Sequence, residues 1–353
     1  MAIRPPLRRR ALALSSAGIG LTLLLTACGS GAGSGRGSDG KIVVGLITKT
    51  NDNPFYVKMR EGAEKKAKEL GVELRTFAGS GQTDNDSQVS AIENLVAAGA
   101  KGILITPSDS SAVVPAIERA RKAGVMVIAL DSPTDPASAV DATFATDNRR
   151  AGQMIGKWAK SKMADKRARI ALLNLSADHV KVDILRNQGF LEGFGINVGD
   201  PGRIGDEHDP RIVGQEVTGA NEEGGRSAME KLLQKDSSIN LVYTINEPAA
   251  EGAYQAIKAA GKARDVTIVS IDGGCSGVKD VTAGAIGATS MQFPVKMAAE
   301  GLAAVAAHVK NGSKPSPSSG QAFTDTGVSL ITNTPVPDLP SQKSDWGMAH
   351  CWG

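Results

Sequence analysis

The sequence predicts an α/β protein made of two similar doubly wound lobes, and three observations carry that prediction. Short, largely apolar runs of strand length alternate with helical segments; glycine stands just past several helix ends; and the pattern starts afresh after the interval 131–145. The apolar runs lie at 42–47, 102–106, 125–130, 170–175, 241–245 and 266–271, as expected of parallel strands covered on both faces. Between them, 54–70, 86–98, 111–123, 147–162, 180–194, 222–234 and 248–260 read as amphipathic or alanine-rich helices. Gly71, Gly99, Gly124 and Gly261 terminate four of these. Roughly a dozen strands in all exceed one comfortable sheet, which is why two lobes are expected. Loop 195–211 is long and rich in Gly and Asp, and the proline-rich tail after Thr332 is expected to be irregular.

Composition narrows the function. The 353 residues are 41% hydrophobic and 22% charged, which excludes disorder and collagen and leaves a close-packed globule. The net charge of +3 falls to −1 once Arg4, Arg8, Arg9 and Arg10 are set aside, so the body lacks the basic footprint of a nucleic-acid binder. Those arginines open a segment with the layout of a secretory signal, followed by an apolar stretch from 11 to 26. It ends in Leu25-Thr26-Ala27-Cys28, which resembles the lipobox of bacterial lipoproteins. On that resemblance residues 1–27 are a signal peptide, Cys28 is the lipidated residue and 28–40 is a flexible Gly/Ser tether. Gly35-Arg36-Gly37-Ser38-Asp39-Gly40 fits a dinucleotide-binding glycine pattern, but it precedes the first strand instead of following one, so it is set aside.

Polar residues gather just past the strand ends. Lys49, Thr50, Asn51, Asn53, Ser108-Asp109, Asp131-Ser132, Asn246-Glu247, Asp272 and Gln292 would converge on one crevice, because open α/β sheets bind ligands beyond the carboxyl ends of their strands. Helix capping is the competing explanation, since Asn53-Pro54, Asp147 and Asn246-Glu247-Pro248 are also good N-cap sequences. Catalysis finds little support. His179, His208, His308 and His350 are scattered without metal-ligand spacing and no G-x-S-x-G elbow occurs, so neither an enzyme, a metal nor a cofactor is expected.

At this point the residues carry a wider resemblance. Asn53-Pro54-Phe55-Tyr56, Thr106-Pro107-Ser108-Asp109, Leu130-Asp131, Thr146-Asp147-Asn148, Arg186 with Gly189-Phe190, Asn246-Glu247, Ile271-Asp272-Gly273 and Gln292-Phe293-Pro294 follow one another as in ribose-type sugar-binding proteins of ABC importers. The resemblance runs from Lys41 to about Thr332. Within the family, Asn246-Glu247-Pro248-Ala249-Ala250, Gly273-Gly274-Cys275 and Cys351-Trp352-Gly353 look most like the fructose-binding branch.

The resemblance implies the type 1 periplasmic binding protein fold, two Rossmann-like lobes joined by three hinge crossings. One lobe is then 41–146 plus 293–329 and the other 147–292 plus 330–353. The ligand set it implies is Lys49, Asn53, Phe55, Tyr56, Asp131, Ser132, Arg186, Asn246, Asp272 and Gln292. These residues suit adjacent sugar hydroxyls: the carboxylates accept, Lys49 and Arg186 donate, the amides do both, and Phe55 and Tyr56 cover the ring's C–H face. Lys49 stands where the ribose pattern has a small hydroxyl residue, and Ala220 where it has an aromatic. Ribose is thereby disfavoured and a fructose-like hexose or ketose favoured, although an anionic sugar or polyol could equally use Lys49. With Cys28 acylated, Cys275 and Cys351 remain as an even pair on the second lobe, and a disulfide is expected. The expected protein is a monomeric, lipid-anchored receptor on the extracytoplasmic face of the cell membrane, handing a monosaccharide to an ABC permease. A sensor presenting its sugar to a membrane receptor is the alternative.

Overall fold

The computed structural model describes residues 41–164, 167–177 and 180–353, so the signal segment, Cys28 and the tether lie outside the described residues. The chain runs β1 (Val43–Thr48), α1 (Pro54–Leu70), β2 (Glu73–Ala78), α2 (Asn85–Ala97), β3 (Gly102–Ile105), α3 (Val114–Lys122), β4 (Met126–Leu130) and β5 (Ala142–Ala145). It continues with α4 (Asn148–Met163), β6 (Ile170–Asn174), α5 (Lys181–Phe194), β7 (Ile212–Val217), α6 (Glu222–Lys235), β8 (Leu241–Thr244), α7 (Glu247–Ala259), β9 (Thr267–Asp272), α8 (Cys275–Ala283) and β10 (Ala288–Met291). It closes with α9 (Pro294–Asn311), β11 (Thr324–Asp325), β12 (Ser329–Ile331) and α10 (Ser344–His350).

The strands form two six-stranded sheets, ordered β11-β5-β4-β3-β1-β2 and β12-β10-β9-β8-β6-β7. Apart from the edge strand that the end of the chain supplies, each sheet has the parallel 2-1-3-4-5 order of a doubly wound lobe. In that order a crevice opens at the carboxyl ends of the strands, where the winding reverses.

Helix packing shows where the chain changes lobe. α4 packs on α5, β9 and β10, whereas α9 packs on α1 and β3 to β5. The chain therefore crosses after β5, after β10, and again between β11 and β12. The last crossing corrects one expected boundary. Ser329, assigned to the first lobe from sequence, pairs with Met291 in the second sheet, because the chain turns away at Gly327 (φ 99°). The tail is also more regular than expected, since α10 forms over Ser344–His350 and packs on α8.

Both faces of each sheet are covered, which is why the central strands read as continuous apolar runs. In the first lobe Val44, Leu46, Leu104 and Ile128 face α1 and α9, while Ile47, Ile103, Ile105 and Val127 face α2 and α3. In the second lobe Trp158 and Phe190 of α4 and α5 pack against Leu172, Tyr243 and Val269. The α4–α5 pair approaches closely through Gly152, Gly156, Gly189 and Gly193. A Cβ built at Gly189 would lie 2.2 Å from the Arg149 carbonyl oxygen. This close crossing carries Arg186 up to the start of α4.

Candidate functional site

The carboxyl ends of the two sheets face one another across a nearly closed cavity of about 20 Å³. Lys49, Asn53, Phe55, Tyr56, Gln82 and Asp131 line it from the first lobe. Leu175, Val182, Arg186, Ala220, Ile245, Asn246, Asp272 and Gln292 line it from the second. The lobes are drawn together. Lys181 at the start of α5 pairs with Asp135 beyond β4 at 2.9 Å, and its amide donates to Ser110 Oγ at 3.1 Å.

Arg186 is the centre of the polar network. Its guanidinium donates through Nε to Asn148 Oδ1 at 2.7 Å, through Nη1 to the Ile245 carbonyl at 3.1 Å and through Nη2 to Asp131 Oδ1 at 3.2 Å. Asp272 lies 3.8 Å away and accepts from Gln292 Nε2 at 2.7 Å. Asn148 also donates to the Asp131 carbonyl, so α4 braces both members of the pair. Asp131 and Asp272 have positive φ, 60° and 152°, which non-glycine residues adopt only where the surroundings enforce it.

Burial sets the ionisation of the wall. Desolvation holds Asp272 above the ordinary carboxylate range, against the pull of the Arg186 charge and the Gln292 hydrogen bond. Lys49 is 1% exposed, and no described residue accepts a hydrogen bond from its Nζ. Desolvation brings its ammonium down to about 8, with Asp131 partly opposing. The charged side chains on the wall are two cations, Lys49 and Arg186, and two anions, Asp131 and Asp272. The wall thus carries as many cationic as anionic side chains.

Of the ten residues expected from sequence, nine line the cavity, and Ser132 corrects the tenth. The positive φ at Asp131 turns the chain so that the Ser132 hydroxyl faces Asp131 Oδ2, at 3.4 Å, instead of the cavity. Capping and cavity lining prove compatible. Asn53 caps α1 by accepting from the Phe55 amide at 3.0 Å, and Asn246 caps α7 through the Ala249 amide at 3.2 Å while donating to the Ala220 carbonyl. Asp147 lies off the cavity: it caps α4 by accepting from the Arg150 amide at 2.9 Å, and its other oxygen accepts from Gln321 Nε2 at 3.2 Å. Ser108 and Asp109 shape their own loop: Ser108 donates its amide to Gln88, and Asp109 accepts from the amides of Ser111 and Ala112.

Gln82 and Asp183 escaped the sequence reading, and Glu247, grouped there with the crevice residues, stands behind the cavity wall instead of lining it. Gln82, 3.4 Å from the Tyr56 hydroxyl, follows β2, and the missing signal was that strand itself. Glu247 accepts from the amides of Gly273 and Gly274, both at 2.9 Å, and from Thr289 Oγ1, so it braces the turn that presents Asp272. Burial, followed by the nearby Asp272 charge, raises its pKa.

Asp183 braces the Leu175 loop by accepting from the Leu175 amide at 2.9 Å, and burial raises its carboxyl to about 7. Because the folded chain holds this proton more tightly than the unfolded one, the stability it contributes is full below about pH 4. That contribution is lost as pH rises through about 7. Asp183→Asn removes the ionisation while keeping the acceptor, so its apo melting temperature is expected to gain on wild type steadily between pH 4 and 7. A constant difference across that range would rule this out.

Fold and cleft together define a two-lobed binding protein that encloses a small polar ligand. The sequence profile of the periplasmic binding protein domain family matches residues 44–314, and the chain belongs to that family. It is 32% identical to the ribose import binding protein of Haemophilus influenzae over 251 residues, 71% of this chain and 80% of that protein. It is 30% identical to the D-apiose import binding protein of Actinobacillus succinogenes, over 77% of this chain and 83% of that one. In structure it resembles a galactofuranose binding protein with a TM-score of 0.73 at 24% identity, covering 87% of this chain and 97% of that one.

Proposed function

We propose that this protein is the extracytoplasmic receptor of an ABC importer for a neutral monosaccharide, with a fructose-like hexose or ketose favoured. The observation that carries this reading is the small, charge-balanced cavity, whose donors and acceptors come from both lobes and whose Phe55 and Tyr56 supply apolar ring faces. The ribose and apiose import binding proteins among the relatives support a monosaccharide ligand and an importer as partner. Lys49 and Ala220, which depart from the ribose pattern, direct the choice away from ribose. The ligand set is Lys49, Asn53, Phe55, Tyr56, Asp131, Arg186, Asn246, Asp272 and Gln292, and the sugar favours lobe closure because only the closed form completes its contacts.

A thermal-shift series with D-ribose, D-allose, D-fructose, D-galactose, myo-inositol and D-gluconate tests this. A sugar at a hundred times its Kd stabilises by about 2.7 kcal/mol, and a neutral sugar is expected to give the largest shift. A shift with gluconate alone, or with none of the six, would sink the reading.

The anchoring proposal is that Cys28 carries the lipid. Full-length protein expressed in a bacterium is expected to fractionate with membranes, and Cys28→Ala to leave it unprocessed or released. Wild-type protein that is soluble with an unmodified Cys28 would dismiss the anchor. The Cys275–Cys351 link is likewise proposed as covalent in the mature protein; the structure pairs the two residues with Cα atoms 5.0 Å apart.

A further inference from the structure

Trp352 lines no wall of the sugar cavity, yet it touches two residues that do. Its indole Nε1 donates to the Gln292 carbonyl oxygen at 2.8 Å. Its ring meets that of Phe55 edge to face, with centroids 5.5 Å apart at 72°, and Phe55 meets Tyr56 in the same manner at 5.4 Å. The indole is only 9% exposed and packs with the first-lobe core, beside Phe55, Tyr56 and Met59.

The backbone that carries the indole is anchored to the second lobe. Trp352 forms an isolated bridge with Gly274, and its carbonyl accepts from the Cys275 amide at 2.9 Å. The preceding residue, Cys351, is paired with Cys275 at the start of α8, on which α10 packs. Phe55, by contrast, sits in the first turn of α1 in the first lobe. The Trp352–Phe55 contact therefore spans the mouth of the cleft and exists only while the lobes are together. A contact made in one state alone shifts the equilibrium towards that state.

We propose that Trp352 is a positioning residue of the sugar cleft: carried by the Cys275–Cys351 pair, it seats the Phe55 ring and holds the closed form around the ligand. This rests on the sugar-binding reading above. Two effects follow from the geometry. Losing the indole speeds ligand release more than it slows capture, because the contact forms after the lobes meet. Losing the cysteine pair has the same effect in weaker form, because Trp352 keeps its hydrogen bonds to Gln292 and Cys275.

The test uses the mature chain and whichever neutral compound of the thermal-shift series (D-ribose, D-allose, D-fructose, D-galactose or myo-inositol) stabilises wild type most. Release rates come from stopped-flow displacement, alongside apo melting. Trp352→Ala is expected to release sugar about tenfold faster, the scale of a buried aromatic contact, with apo melting little changed. Trp352→Phe, which keeps a ring against Phe55 but loses the indole donor, should recover most of the retention. The paired Cys275→Ser/Cys351→Ser variant should fall between wild type and Trp352→Ala. Should Trp352→Ala fail to fold, Trp352→Leu decides the same question. A wild-type release rate in the alanine or leucine variant, or equal release from the phenylalanine and alanine variants, overturns the proposal. If wild type binds none of the neutral compounds in that series, the sugar-binding reading fails and this inference fails with it.

Discussion

Replacing Arg186 by alanine is expected to weaken sugar binding at least a hundredfold. The guanidinium serves Asn148, the Ile245 carbonyl and Asp131 at once and lies 3.8 Å from Asp272. Removing it leaves two buried carboxylates without their cation, and breaking a buried pair in this way costs about 3–5 kcal/mol. At about 1.4 kcal/mol per decade, the lower bound already exceeds a hundredfold. Asp131 belongs to the first lobe and Arg186 to the second, so the loss falls mainly on the closed, liganded form. Arg186→Lys should not recover the affinity, because one ammonium cannot reach acceptors that diverge around a planar fork. Calorimetric titration of both variants checks this, and binding within tenfold of wild type by either would remove Arg186 from the centre of the site.

The aspartates come next in size. Asp131→Ala and Asp272→Ala are each expected to weaken binding by about tenfold to a hundredfold, since a sugar hydroxyl left unpaired in a closed cleft costs about 1–3 kcal/mol. Asp131→Ala should be the worse of the two, because it also strands Arg186 Nη2. The Asn variants keep shape, and at Asp131 they also suit the left-handed backbone, so they should lose less. Residues that served only as turns would behave in the opposite way, lowering apo melting while leaving intrinsic affinity intact. Wild-type affinity in both alanine variants would discredit the carried-over ligand set as a whole.

The strands that were legible in the sequence are those covered on both faces. β3, β4 and β6 consist of buried side chains throughout, and burial on two sides demands an apolar run. β2 and β7 sit at sheet edges, and their half-exposed residues, Glu73-Leu74-Arg75 and Gly214-Gln215-Glu216, break any run. β10 is fully buried yet shows no apolar run, because Thr289 and Ser290 are satisfied by Glu247 and the Ala151 carbonyl, partners distant in sequence. α10 has seven residues, too few for a periodic signal, and is held by α8 and the cysteine pair.

By itself the sequence determined the doubly wound class and most of the cleft wall. Strand ends are marked by a local switch from apolar to polar residues, and the topology of parallel sheets carries those ends to one crevice. Only the tertiary structure decided which polar residues face the cavity. Asp147 and Ser132 read like Asn53 and Asp131 in sequence, and a cap geometry or one positive φ turns them aside. It alone brought Arg186 between two aspartates and Trp352 against Phe55, because both contacts join the two lobes. A contact between lobes leaves no periodicity in the segment that makes it; the reason for the residue lies at the other end of the chain.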